Sequence, residues 1–95
     1  MTIEELKSEL EKIISEVTVS GFDGIDSGMV GKLDKLVTAA AELGMKEGKR
    51  LIENLLAVIK SIQEGKSKAA SGHLRLTALD FYVKKLSVGG SIEDL

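Results

Sequence analysis

Apolar residues recur at helical spacing in four separate stretches of this chain, and no proline interrupts any of them. Proline removes a backbone donor and clashes inside a helix, so ten glycines with no proline leave helices whole and assign their ends to glycine and polar caps. The first stretch opens on Thr2, with Glu5 three residues later as a capping box, and carries Ile3, Leu6, Leu10, Ile13 and Val17. The β-branched run Val17-Thr18-Val19 then meets Ser20-Gly21-Phe22-Asp23-Gly24, which predicts a helix end near Val17 followed by a loop. Asp26 is the expected cap of the second stretch, with Ile25 and Val30 placed as a hydrophobic staple. Its stripe is Met29, Leu33, Leu36, Ala40 and Leu43, closed by Gly44.

The third stripe is Gly48, Ile52, Leu55, Ile59 and Ile62, flanked by Leu51 and Val58. The step of five from Leu43 to Gly48 fits neither helical repeat, so the chain must turn near Gly44. Glu64-Gly65-Lys66-Ser67 separates the third helix from the fourth, with Ser67 as the expected cap, and the last stripe is Gly72, Leu76, Leu79, Val83 and Leu86. Four amphipathic helices joined mostly by short links bury their stripes best as an all-α, antiparallel up-down four-helix bundle. The expected helices cover about 2–17, 27–43, 46–63 and 67–87, within one domain over 1–87 and ahead of a loose tail over 88–95. A three-helix bundle with a detached first helix is the alternative, because the first loop is the longest.

Composition narrows the functional classes. Hydrophobic residues at 43% and charged residues at 29%, with 13 basic and 15 acidic side chains, describe a soluble globule of net charge −2. That balance argues against disorder and against an electrostatic nucleic-acid binder. The absence of cysteine removes disulfides, thiolate zinc sites, iron–sulfur clusters and a cysteine nucleophile, and a single histidine, His73, removes a multi-histidine metal site. No metal or cofactor is therefore expected. The glycines lack the strand-turn-helix context of a nucleotide-binding loop. No apolar run approaches the roughly 20 residues that cross a bilayer, and the acidic start Thr2-Ile3-Glu4-Glu5 is unlike a basic secretory leader, so a cytoplasmic protein without membrane contact is expected.

At about 100° per residue, His73, Thr77, Asp80 and Lys84 share one sector of the fourth helix, opposite much of the Leu79 stripe. His73 is expected to be exposed. Asp80 lies two turns away, too far to orient the imidazole, so no nucleophile-and-base pair forms and the plain expectation is a solvated polar face. A second apolar ridge, Leu74, Ala78 and Phe81 with Tyr82 beside it, either packs against a further neighbour inside the bundle, which is favoured, or stays exposed as a partner-binding or homodimer patch. The candidate partner-binding residues are accordingly His73, Leu74, Thr77, Phe81, Tyr82 and Lys84. Phe22, between Gly21 and Gly24, is expected to plug the open end of the bundle. Lys46, Lys49 and Arg50 form a basic cluster that Glu47 and Glu53 interrupt, which favours a solvated face.

The run Leu55-Leu56-Ala57-Val58-Ile59 up to Glu64-Gly65-Lys66, followed by Gly72-His73-Leu74-Arg75-Leu76-Thr77-Ala78, resembles the histidine-phosphotransfer (HPt) domains. In that family a helix displaying the phosphoacceptor histidine follows a short glycine-containing turn, and the motif is His-x-Leu-Lys-Gly-small-Ala. The resemblance covers roughly residues 25 to 86 at the level of pattern. Matching Leu74 and Arg75 to the motif's leucine and lysine sets Gly72 at the phosphoacceptor position. Matching His73 instead puts Leu76 at the lysine and Thr77 at the glycine. The resemblance implies either a degenerate phosphotransfer-like module that binds a protein partner without carrying phosphate, or a phosphocarrier using His73. No enzymatic activity is expected.

Overall fold

In the computed structural model, which describes residues 1–25 and 27–87, the capping box forms as the sequence predicts. The Glu5 amide donates to the Thr2 hydroxyl at 3.1 Å, and the Thr2 amide donates to the Glu5 carboxylate at 3.0 Å. The Thr2 amide, aided by the Thr2 hydroxyl nearby, holds the Glu5 carboxyl below its ordinary range. The helix they start, α1 (Ile3–Ser20), runs three residues past the expected end at Val17. The Thr18 hydroxyl is satisfied by the Ile14 carbonyl at 2.7 Å, and Gly21, with φ of +73°, closes the last turn by donating its amide to Val17 O.

A short 3₁₀ turn (Phe22–Gly24) leads to α2 (Gly28–Glu42), α3 (Lys46–Gln63) and α4 (Ala69–Ser87). The expected cap Asp26 and the tail 88–95 lie outside the described residues. The ends of α2 and α3 share one device. The Gly44 amide donates to Ala41 O and the Met45 amide to Ala40 O, while Gly65 and Lys66 repeat the pattern onto Ile62 and Ser61. Both glycines are left-handed, at +74° and +76°, which is the geometry that satisfies orphan carbonyls at a helix end. The anticipated turn at Gly44 is thus a helix-terminating motif. Ser67, expected to cap α4, instead shares a 2.7 Å hydrogen bond with the Ser61 hydroxyl, and α4 begins at Ala69.

The fold is all-helical, with four α-helices and no strand among the described residues. The stripes turn inward: Leu6, Leu10, Leu33, Ile52, Leu55, Ile59 and Leu79 are almost completely buried, and among the described residues no charged side chain joins them. At about 25 cal/mol per Å² of apolar surface, such burial is the main stabilising term. α3 packs against both α2 and α4, and α1 touches α2 and α4. The detached-helix alternative is therefore incorrect, because the stripe of α1 is as buried as the others.

Aromatic rings seated in helical glycine notches fix α4. Phe22 is buried against Gly72, where an added Cβ would lie 2.5–2.8 Å from its ring. It plugs the bundle as expected. Tyr82 lies over Gly48, where a Cβ would lie 2.7–2.9 Å from its hydroxyl and ring. Gly48 and Gly72 thus sit in their stripes because a close-approaching ring leaves no room for a side chain.

Candidate functional site

The core stripe of α4 leaves two faces outside, and the candidate residues divide between them. On the polar face, His73 and Thr77 are exposed; the Thr77 hydroxyl donates to the His73 carbonyl at 2.9 Å, and Lys84 pairs with Asp80 at 2.9 Å. The His73 ring meets Phe22 edge-on, with centroids 5.3 Å apart and planes at 88°. Its placement toward solvent agrees with the sequence expectation. Thr77 and Lys84 are spent within their own helix.

The second face departs from the favoured expectation of internal packing. Leu74 is 70% exposed and Phe81 64% exposed, with Ala78 half-buried between them. The reason is the arrangement of the helices: α3 and α1 already cover the Gly72–Leu79–Val83 side, and among the described residues no further element lies over the outer ridge. Tyr82 separates from this ridge. It is 3% exposed and faces Gly48, which removes it as a surface anchor. Its hydroxyl has no hydrogen-bond partner among the described residues. Burial pushes the phenol above its ordinary value, while the nearby Gly48 backbone opposes the shift without reaching hydrogen-bond geometry.

Two open clefts flank the ridge on its α3 side. One, of about 390 Å³, lies between Leu74 and Arg75 of α4 and Asn54, Ala57 and Val58 of α3. The other, of about 450 Å³, lies between Ala78, Phe81 and Lys85 of α4 and Glu47, Arg50 and Leu51 of α3. Arg50 grips the Glu47 carboxylate through two nitrogens, which holds that carboxyl below its ordinary range, with Lys85 nearby adding a smaller pull in the same direction. The basic cluster at the start of α3 is therefore partly neutralised within its own helix. Arg75 and Lys85 make no ion pair among the described residues, and Lys85 extends the Leu74–Ala78–Phe81 series by one further turn. The sequence offered that spacing as a signal, but Arg75, Lys85 and the α3 wall become part of the face only once α3 is set beside α4.

Among the described residues, no group of three or more His, Cys, Asp or Glu is placed to hold a metal ion, and no helix is long and apolar enough to cross a membrane. No protein-family model, curated protein or solved structure matches this chain.

Proposed function

We propose that this chain is a non-enzymatic, cytoplasmic protein-interaction module of the signalling type, an antiparallel up-down bundle that docks a partner on its α3/α4 face. The observation that carries this reading is the exposure of Leu74 and Phe81 two turns apart beside two clefts. The opposite running of α3 and α4 is supported by Gly48, early in α3, meeting Tyr82 late in α4, while Ser61, late in α3, bonds Ser67 just before α4. Within this reading the likeness to HPt domains is one of architecture, without phosphate transfer. Position 72, the phosphoacceptor position when Leu74 and Arg75 are matched to the motif, is filled by the Phe22 ring.

Affinity capture from the cell of origin tests the reading. A protein retained by the wild-type chain and lost with Leu74→Asp/Phe81→Asp, at unchanged helical circular dichroism, is the expected result. Identical captures with both chains would overturn it.

The exposure of the His73 ring favours a second reading, a phosphocarrier. There the unprotonated ring nitrogen of His73 would bond phosphorus as the donor's bond to it breaks, the donor leaving with that electron pair, and the imidazole would lose the proton of its other nitrogen to water. Incubation with a phosphodonor decides: the leading reading expects no acid-labile label, whereas a label abolished by His73→Gln establishes the carrier. The homodimer reading expects twice the monomer mass in light scattering.

A further inference from the structure

The α3/α4 face has a charge opposite to that of the whole chain. Three cations, Arg50, Arg75 and Lys85, and one carboxylate, Glu47, line its clefts, and Arg50 already neutralises Glu47. The face is positive on a protein of net charge −2. Between the cations lies the apolar ridge, where Leu74 and Phe81 are separated by seven residues, or about 10 Å along the helix. Taking the α3/α4 face as the docking surface, we infer that its occupant is an acidic amphipathic helix. Two apolar anchors about seven residues apart enter the clefts beside Leu74 and Phe81, and flanking carboxylates face Arg75 and Lys85.

Three features select this occupant. The walls are two helices whose backbone groups bond within themselves, so the face offers no edge to pair with an extended strand, whereas a helix brings its own backbone bonds already made. The anchor spacing matches residues i and i+7 of a partner helix, which fall on one stripe. The charge excludes a second copy at this face, since juxtaposing two copies would set Arg75 and Lys85 against the same cations with no free carboxylate among the lining residues to offset them.

A designed probe tests the assignment: a fluorescent helical peptide with leucines at i, i+4 and i+7 flanked by glutamates, and a matched peptide with lysines in place of the glutamates. Titrated with the full chain, the acidic peptide is expected to bind about tenfold more tightly than the lysine peptide, with the margin shrinking as salt rises. Arg75→Glu/Lys85→Glu is expected to reverse the preference, and Phe81→Ser to weaken both peptides. Two peptides that bind alike, both weakened by Phe81→Ser, would overturn the acidic assignment while leaving the docking surface standing. Failure of both peptides to bind would remove both. A dimer in light scattering that Phe81→Ser dissociates would also overturn the inference, since the occupant would then be a second copy.

Discussion

α3 and α4 are neighbours of 18 and 19 residues, yet they distribute their apolar side chains differently. α3 is the most sharply amphipathic helix of the molecule. Gly48, Leu51, Ile52, Leu55, Leu56 and Ile59 are buried, and its outer positions are mainly charged. α4 is the least amphipathic, because Leu74 and Phe81 stand on its outer side while Leu76, Leu79 and Val83 face inward. The core takes up every large apolar side chain of α3 at least in part, whereas on α4 it leaves Leu74 and Phe81 largely exposed. Largely exposed leucine and phenylalanine add little to folding, and this surplus on α4 is the surface on which the proposed docking rests.

Substitutions can break or sharpen this contrast. The largest effect is expected in the core of α3, where Leu55→Ala should cost about 2–5 kcal/mol in denaturant unfolding, since Leu55 is completely buried. Next come the notches. Gly72→Ala and Gly48→Ala should each cost about 1–3 kcal/mol net, because displacing a buried ring outweighs the gain in helix propensity. Either variant proving more stable than the wild type would show that the ring yields freely. Tyr82→Phe removes a buried hydroxyl that has no partner and should be neutral or stabilising by about 1 kcal/mol. The smallest effect is expected on the outer ridge, where Leu74→Ala and Phe81→Ala should each change stability by less than about 0.5 kcal/mol. A loss above about 2 kcal/mol there would assign the ridge to the core and erase the contrast between the helices.

Tyr82 also predicts a pH dependence. Its folded pKa is raised above the unfolded value by burial, so its contribution is fully present below the ordinary tyrosine range and is lost as pH rises through that range toward the folded value. Alkaline titration followed by phenolate absorbance should show ionisation delayed and accompanied by loss of helix. In Tyr82→Phe that tyrosine-linked part of the alkaline transition should disappear, since Tyr82 is the only tyrosine in the chain.

Much of the fold was legible because helical periodicity, a capping box and glycine closures are local signals. The stripes around Leu10, Leu33, Leu55 and Leu79 face inward as their spacing predicts, and His73 faces outward. Two kinds of feature were not legible. α1 ends at Ser20 rather than near Val17 because the β-branched penalty is small, and positive-φ Gly21, whose amide bonds Val17 O, sets where the last turn closes. The division of Tyr82 from Phe81 depends on which α4 residue meets Gly48, a contact between residues 34 apart in the chain. Periodicity placed both aromatics beside the ridge, and only packing against α3 separates a buried ring from an exposed one.

The most direct measurement is an amide chemical-shift map of the isotopically labelled chain titrated with the acidic leucine peptide. The account predicts a single cluster of perturbed amides running along α4 from Leu74 to Lys85 and along the facing turns of α3, with the first half of α1 unchanged. Perturbations centred on His73 and the Phe22 turn, or scattered evenly over the bundle, would contradict it.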